Sequence, residues 1–217
     1  MLASGRGTNL QALLAAIEGG RLRASIVGVF SDRAVAPVLA RAREAGLQAE
    51  SIRPRDFANR IEFDAALFAR VDAVQPDLIV CAGYMRLLSE REVDARRGRM
   101  INIHPSLLPA FKGLHTHEQA LAAGAPVHGA SVHYVTPELD GGPVIAQARV
   151  PVLPGDDADA LAARVLVREH PLLVATVELI AAARVALRDD GVHVDGRRLA
   201  APLQLSPDGT LGNATLA

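Results

Sequence analysis

The residues best suited to chemistry in this sequence are an asparagine and a histidine at the end of a short apolar strand. Asn102 and His104 lie in the run Met-Ile-Asn-Ile-His-Pro, in which residues 100–103 are typical of a strand. Pro105 and Pro109 keep the next segment from becoming a helix, because each pushes the preceding residue into an extended conformation. Residues two apart in a strand share a face, so both side chains lie on one side of the sheet edge where α/β proteins bind ligands. An amide donor beside a ring that titrates near neutral pH suits acyl transfer.

A carboxylate further along the chain strengthens this interpretation. Asp140 precedes Gly141 and Gly142, and two glycines allow the backbone to approach a ligand closely. We expect Asp140 to hold His104 and to favour its imidazolium form. Without such a partner, a histidine after a strand is more often a loop residue with a hydrogen-bonded ring than a catalyst.

A glycine-containing loop near the start of the chain predicts a second binding feature. Residues 4–9 read Ser-Gly-Arg-Gly-Thr-Asn, and apolar residues then recur at helical spacing until Gly19. With Thr8 or Asn9 as the helix cap, free N–H groups and the helix dipole favour an anion such as phosphate. Leu10 stands where a dinucleotide fingerprint has its third glycine, which argues against a dinucleotide site. A tight turn without a ligand is the alternative.

Composition limits the remaining function classes. The chain has 217 residues, enough for one substantial core, and a formal net charge of −1 with both signs interspersed. No apolar run approaches the roughly 20 residues of a membrane span, and we find no secretory signal pattern. With a single cysteine, Cys81, no intrachain disulfide is possible. We therefore expect a cytoplasmic protein, a monomer or homodimer, that binds small molecules and neither nucleic acid nor membrane.

The order of the remaining segments predicts the fold class. Apolar, β-branched runs at residues 24–30, 48–52 and 78–82 alternate with helical patterns at residues 36–45 and 59–74. This alternation predicts an α/β fold with a Rossmann-like, doubly wound, mostly parallel sheet.

The C-terminal half departs from this alternation. Strands at residues 128–135 and 144–152 are expected to pair antiparallel, which would make the sheet mixed. A helical pattern over residues 157–185 contains Pro171, which we expect to kink or break the helix. The Asp-Gly pair at residues 195–196 predicts a hairpin.

Three ordered motifs resemble a known family. They are Asn102 with the following His-Pro-Ser-Leu-Leu-Pro, then Gly-Leu-His-Thr-His at residues 113–117, then Glu-Leu-Asp-Gly-Gly-Pro at residues 138–143. From Ser4 to about Val185 the chain resembles the phosphoribosylglycinamide formyltransferases of purine biosynthesis, and coincidence does not extend over several ordered segments. The resemblance implies the formyltransferase fold, with the ribonucleotide site in the N-terminal half and the catalytic and folate sites in the C-terminal half.

The resemblance also implies a reaction and its residues. A formyl group would pass from 10-formyltetrahydrofolate, the co-substrate, to the amine of 5-phosphoribosylglycinamide. Asn102 would donate to the oxyanion, His104 would donate a proton and Asp140 would hold the imidazolium. The expected contacts to the ribonucleotide are Gly7, Thr8 and Asn9 for the phosphate, and Glu169 for the ribose. The expected contacts to the folate are Arg60, Met85, Arg86, Leu87, Leu88 and Asn102.

Some of these residues have simpler interpretations. Glu169 could be a solvated helix charge, and residues 84–88 could begin a helix packed on the core. His115 and His117 stand near His104, so zinc has to be considered. No carboxylate or thiol is spaced as a further ligand and the implied reaction needs no metal, so we expect none. His133 is expected to be structural.

The two ends of the chain carry separate expectations. The family enters the loop at Ser4 from a full central strand, whereas three residues precede Ser4 here, so we expect the true start to lie upstream. We expect a single domain over residues 1–200. Residues 201–217 contain glycine, serine and proline and are expected to form a loosely ordered tail.

Other functions remain as rivals. Methionyl-tRNA formyltransferase and formyltetrahydrofolate hydrolase share the Asn, His and Asp arrangement. The first would need a further C-terminal domain that grips nucleic acid, and the second an N-terminal regulatory domain. A non-catalytic nucleotide-binding module using the loop at residues 4–9 is a rival of another class, but it would not need Asn102, His104 and Asp140 together.

Overall fold

A mixed β-sheet forms the centre of the protein in the computed structural model, which describes residues 1–212. The strands, in chain order, are β1 (Val29–Ser31), β2 (Ala49–Ser51), β3 (Ile79–Ala82), β4 (Met100–His104), β5 (Val127–Tyr134), β6 (Val144–Pro151), β7 (Val185–Arg188), β8 (Gly191–Val194), β9 (Arg197–Arg198), β10 (Leu203–Leu205) and β11 (Leu211–Gly212). The helices are α1 (Thr8–Glu18), α2 (Pro37–Glu44), α3 (Arg60–Ala73), α4 (Glu90–Asp94), α5 (Thr116–Ala122) and α6 (Ala158–Ala181), with a 3-10 turn at Pro54–Asp56.

The strand pairing confirms the predicted α/β fold with a mixed sheet. β1 pairs parallel with β2, and β3 pairs parallel with β4. Leu2 joins these two parts through parallel bridges to Phe30 and Cys81, so residues 1–3 occupy the middle of the sheet. β5 runs antiparallel to both β4 and β6. The carboxyl ends of the parallel strands therefore meet at one edge, where loops from several strands can share a ligand.

The strand predicted over residues 24–30 is shorter than expected. Only Val29–Ser31 is paired, because its neighbours β2 and Leu2 flank only these residues. Val27 is exposed. An apolar run shows that a strand is possible, but its length is set by the partners beside it.

The long C-terminal helix is continuous, so of the two outcomes predicted at Pro171, a kink or a break, the break does not occur. Asp157 caps α6, since its carboxylate accepts a hydrogen bond from the amide of Ala160 at 2.8 Å. Leu172 and Leu173, directly after the proline, are fully buried on the sheet. Tertiary packing of an apolar face outweighs the one backbone hydrogen bond that a proline removes.

The first helix is capped differently from the prediction. Gly7, and neither Thr8 nor Asn9, is the N-cap residue of α1, and its φ is +79°. A Cβ at this position would lie 2.8 Å from Cγ2 of Val38, so both conformation and packing require glycine. The side chains of Thr8 and Asn9 are thus free of the capping role and lie in the first turn of the helix.

The expected loosely ordered tail is wrong for the residues that the structure describes. β10 pairs parallel with β6, and β11 folds back antiparallel onto β10. Leu203 and Leu205 are buried in the main core. A tail with glycine, serine and proline still docks here because β6 offers a free edge with an apolar surface behind it. Residues 213–217 lie outside the described part of the chain.

The predicted hairpin is confirmed. β8 and β9 pair antiparallel around Asp195 and Gly196, with φ values of 49° and 80°. Positive φ at both central residues is the signature of the tight two-residue turn that Asp-Gly favours. β7 adds a third strand to this small sheet. Over residues 1–212, none of the helices is both long enough and apolar enough to cross a membrane.

We predict that docking of β10 stabilises the whole domain. Leu205→Ala removes a buried side chain from the main core and should lower the free energy of unfolding by about 2–3 kcal/mol. Val35→Ala is a matched control, because Val35 is 92% exposed and its truncation should change stability by less than about 0.5 kcal/mol. Chemical denaturation of both variants measures the difference. Equal effects would show that β10 does not contribute to the core.

Candidate active site

The predicted catalytic residues converge at the carboxyl end of β4. Asn102 lies opposite His133 of β5, and His104 lies opposite Ser131. Loops after β4 and β5 close over this point, and they carry Phe111 and Asp140. The strand pairing therefore brings together residues that are nearly 40 positions apart in the chain.

Both ring nitrogens of His104 face oxygen atoms. Nε2 lies 3.1 Å from the carbonyl oxygen of Phe111, and Nδ1 lies 3.5 Å from Oδ2 of Asp140. The residue is buried. Only an imidazolium offers a donor at each nitrogen, so this environment suits the charged ring. The Phe111 carbonyl oxygen is the hydrogen-bond partner of Nε2. His104 can deliver a proton from Nε2 to a substrate only after the substrate replaces this carbonyl as the partner.

Asp140 is held by an unusual backbone. Its φ is +47°, and its Oδ2 accepts a hydrogen bond of 2.9 Å from the amide of Gly113. Two residues later, a Cβ at Gly142 would lie 1.7 Å from the carbonyl oxygen of Tyr134. Only glycine permits the turn to press this closely on the end of β5. The turn thus directs the carboxylate back toward His104, as the sequence predicted.

His133 contacts both Asn102 and Asp140, although the sequence predicts only a structural role for it. Its Nδ1 lies 2.9 Å from the carbonyl oxygen of Tyr134, and its Nε2 lies 3.1 Å from Nδ2 of Asn102. A carbonyl only accepts, so Nδ1 carries the proton and Nε2 accepts from the amide of Asn102. Burial lowers the pKa of His133, which keeps this neutral tautomer. His133 therefore fixes the orientation of the Asn102 carboxamide.

The loop at residues 4–9 lies against Glu169. Nδ2 of Asn9 donates a hydrogen bond of 2.7 Å to Oε1 of Glu169. Burial raises the pKa of Glu169, and the hydrogen bond from Asn9 offsets part of that effect. Gly7 and Thr8 begin the same helix N-terminus. The residues expected to contact phosphate and ribose thus form one group.

The segment expected to bind folate forms a wall of a cleft that contains Asn102 and Asp140. Arg86, Leu87 and Leu88 line this cleft, as do the following residues: Cys81, Tyr84, Val93, Asn102, His133, Val135, Thr136, Pro137, Glu138, Leu139 and Asp140. Residues 84–88 form a loop before α4 and do not begin a helix. The loop therefore presents its side chains to the cleft, in line with a binding role.

Two expected folate contacts, Met85 and Arg60, are exposed beside this cleft and outside its wall. Arg60 begins α3, one turn before the buried Asp64. Burial raises the pKa of Asp64, whereas Arg60 and Arg86 lower it, so both guanidiniums lie near this carboxylate. Arg86 also stacks on Phe63, with its guanidinium carbon 5.2 Å from the ring centre.

Comparison with known proteins identifies the family. The model of the formyl transferase family matches residues 1–177. Phosphoribosylglycinamide formyltransferase of Escherichia coli (strain K12) is 44% identical over 199 residues, which are 92% of this chain and 94% of that protein. The chain belongs to the phosphoribosylglycinamide formyltransferase family.

A solved phosphoribosylglycinamide formyltransferase from Coxiella burnetii shares the fold. It superposes with a TM-score of 0.88 at 46% identity, covering 92% of this chain and 93% of that one. A formyltetrahydrofolate deformylase from Pseudomonas syringae is more distant. It superposes with a TM-score of 0.81 at 27% identity, and this chain covers 64% of its length. The deformylase thus shares the domain but has a third of its chain outside the match.

Two further histidines of this formyltransferase lie beside the site and contact each other. Nε2 of His128 is 3.2 Å from Nδ1 of His117, and the His128 ring is fully buried. Burial, reinforced by the neighbouring histidine, lowers the pKa of His128 to about 4, and burial lowers that of His117 as well. Over residues 1–212 there is no group of three or more His, Cys, Asp or Glu side chains that could hold a metal ion.

We predict that His128 makes the protein less stable in acid. The unfolded histidine binds a proton near pH 6.5, whereas the folded one resists protonation until about pH 4, so the unfolded state binds more protons between these values. The free energy of unfolding should then fall by about 2 kcal/mol from pH 7 to pH 5 because of this residue. Chemical denaturation at both pH values should show a smaller fall for His128→Asn.

The matched control for this prediction is His115→Asn. His115 is exposed, so its replacement should leave the pH dependence of stability as it is in the unmodified protein. If His128→Asn and His115→Asn show the same slope as the unmodified protein, His128 is not the group that destabilises the fold in acid.

Proposed function

We propose that this protein transfers the formyl group of 10-formyltetrahydrofolate to the amine of 5-phosphoribosylglycinamide, giving the N-formyl product and tetrahydrofolate, in de novo purine biosynthesis leading to IMP. The meeting of Asn102 and Asp140 in one cleft, with His104 3.5 Å from Asp140, is the observation that carries this proposal. The near full-length similarity to the Escherichia coli enzyme supports it. Both substrates are small molecules, the folate is a co-substrate, and the reaction needs no metal.

We assign the two substrates to opposite sides of the site. The ribonucleotide binds in the N-terminal half, with its phosphate at the N-terminus of α1 on Gly7, Thr8 and Asn9. Glu169 joins this site from α6 and contacts the ribose. The folate binds in the cleft lined by Arg86, Leu87 and Leu88, with Met85 and Arg60 at its mouth and Asn102 at its inner end. Fixing both substrates brings the amine within reach of the formyl carbon.

The reaction begins when the amine attacks the formyl carbon. A C–N bond forms and the carbonyl electrons move to oxygen, which becomes an oxyanion. The carboxamide of Asn102 donates a hydrogen bond to that oxygen. His133 supports this role because it accepts from one N–H of Asn102 and so sets the direction of the other.

Proton transfers complete the reaction. The attacking nitrogen loses one proton and N10 of the folate gains one, after which the bond between carbon and N10 breaks and tetrahydrofolate leaves. His104 donates a proton either to the oxyanion or toward N10. Asp140 stabilises its imidazolium, because Oδ2 lies 3.5 Å from Nδ1 of His104.

Hydrolysis of 10-formyltetrahydrofolate is the second candidate function, favoured by the likeness to the Pseudomonas syringae deformylase. Water would then replace the amine as the nucleophile. The contact of Asn9 with Glu169 favours transfer over hydrolysis, because a hydrolase has no ribonucleotide to hold there.

The deciding experiment mixes purified protein with 10-formyltetrahydrofolate and follows loss of the formyl group by absorbance, with and without 5-phosphoribosylglycinamide. We expect turnover that depends on the ribonucleotide, with one formylated product per folate consumed. Equal deformylation without the ribonucleotide would identify a hydrolase. No deformylation in either mixture would refute the proposed function.

We predict that the catalytic residues act on turnover more than on binding. Asn102→Ala should lower kcat by roughly 10²–10³, the usual effect of removing an oxyanion donor. His104→Ala should lower kcat by about 10²–10⁴, the usual contribution of general acid–base catalysis. KM for each substrate should change much less.

Steady-state kinetics at saturating concentrations of the other substrate measures both constants. Ser25→Ala is a control, since Ser25 is exposed and lies outside the cleft. A variant of Asn102 or His104 that keeps the unmodified kcat would remove that residue from the mechanism.

A further inference from the structure

Ser4 is buried at the junction of three loops, and its hydroxyl contacts two of them. Oγ donates a hydrogen bond of 2.5 Å to Oδ1 of Asp32 and accepts one of 3.1 Å from the amide of Met85. The backbone amide of Ser4 also donates to the carbonyl oxygen of Gly83 at 3.0 Å. Ser4 is 3% exposed, so water does not compete for these bonds.

These contacts follow from the topology of the sheet. Ser4 comes directly after the central bridge at Leu2, and Asp32 comes directly after the adjacent strand β1. Met85 follows β3 on the other side of Leu2. One hydroxyl therefore links the loops that leave three neighbouring positions of the sheet at the same edge.

The direction of each hydrogen bond is fixed by chemistry. A carboxylate only accepts, so the single hydroxyl proton of Ser4 points to Asp32. The lone pairs are then directed elsewhere, and the Met85 amide uses one of them. The hydrogen bond to the charged carboxylate is stronger than the one from the Met85 amide. Asp32 therefore sets the orientation in which the Ser4 hydroxyl accepts the hydrogen bond from Met85.

The two loops joined by Ser4 belong to different substrates in the proposed function. Ser4 begins the loop that leads to Gly7, Thr8 and Asn9. Met85 directly precedes Arg86, Leu87 and Leu88, which form a wall of the proposed folate cleft. The hydroxyl is thus a direct physical connection between the phosphate site and the folate site.

We propose that Ser4 is a positioning residue that fixes the folate-binding segment 85–88 against the phosphate loop, so that the formyl carbon and the attacking amine are held at reacting distance. This inference rests on the proposed function for its kinetic consequences, but the hydrogen bond to Met85 can be tested without substrates. Ser4 touches neither reacting group. Its effect is through alignment, where a displacement of about 1 Å can cost as much as 10²-fold in rate.

The test compares Ser4→Ala with Ser4→Thr, which keeps the hydroxyl, and with Ser25→Ala, an exposed serine, as the matched control. The first readout is hydrogen exchange of the Met85 amide by NMR in the protein without substrates. Ser4→Ala should exchange about five- to tenfold faster at Met85, the size of one lost hydrogen bond. Ser4→Thr and Ser25→Ala should match the unmodified protein.

The second readout is kinetic and separates positioning from folding. With both substrates saturating, Ser4→Ala should lower kcat by roughly tenfold because the formyl donor, 10-formyltetrahydrofolate, is misaligned. KM for the ribonucleotide should stay within about twofold, since Gly7, Thr8 and Asn9 are unchanged, and Ser4→Thr should restore kcat. If Ser4→Ala does not fold, Asp32→Asn gives the same test, because a neutral amide orients the Ser4 hydroxyl less strongly than a carboxylate. As in Ser4→Ala, hydrogen exchange at the Met85 amide should become faster and kcat should fall.

Several outcomes would overturn the inference. Unchanged exchange at Met85 in Ser4→Ala would show that the hydroxyl does not hold the segment. Faster hydrogen exchange at Met85 with unchanged kcat would show that holding residues 85–88 in place does not align the formyl donor. Loss of kcat that Ser4→Thr fails to restore would assign Ser4 a packing role only. A lack of formyl transfer by the unmodified protein would refute the proposed function, and the exchange measurement would still decide whether Ser4 holds Met85.

Discussion

A buried carboxylate needs partners, and the way Asp140 finds them organises the catalytic edge of the sheet. Its Oδ2 lies 3.5 Å from Nδ1 of His104, and the amide of Gly113 supplies a hydrogen bond. An isolated carboxylate in this environment would be strongly unfavourable. The left-handed backbone of Asp140 and the close packing of Gly142 on the carbonyl oxygen of Tyr134 are local strain. This strained turn places the carboxylate beside His104. The carboxylate of Asp140 thereby links the loops that follow β4 and β5.

The histidines around this carboxylate differ in charge because their environments differ. His104 has an oxygen atom at each ring nitrogen, which suits a cation. His133 must accept from Asn102 and is therefore neutral, and burial lowers the pKa values of His117 and His128. A second buried cation next to His104 would repel it. Burial of the neighbouring rings thus disfavours further positive charge beside His104.

Much of this arrangement follows from local sequence, and the rest depends on contacts between distant segments. Proline after His104 keeps the next segment from becoming a helix, and the glycines after Asp140 allow a close approach of the backbone, so both residues could be predicted to belong to a site. The role of His133 could not be predicted from the sequence. The alternation of residues in β5 indicates which face of the sheet His133 lies on, but it does not indicate the pairing register that sets His133 opposite Asn102. The cap at Gly7 depends on packing against Val38, and neither feature is visible in the sequence of the loop.

The same distinction applies to element lengths. Helices with clear apolar stripes, such as α3, were predicted to within a residue or two, since their hydrogen bonds are internal. Most strands also match their predicted ranges to within a residue. The exceptions depend on neighbours: β1 is shorter than its apolar run, and β10 exists only because β6 is beside it. The continuity of α6 through Pro171 was likewise decided by burial on the sheet.

The bond between Asn9 and Glu169 has a consequence for how the protein is made. It joins positions 160 residues apart, so the loop at residues 4–9 is synthesised long before the helix α6 that carries its partner. During synthesis the N-terminal strands can pair early, but the site proposed for the ribonucleotide is completed only when α6 docks across the sheet. A nascent or truncated chain without α6 would carry the glycine loop without the carboxylate that completes it, and the ability to hold substrate would arrive in one late step.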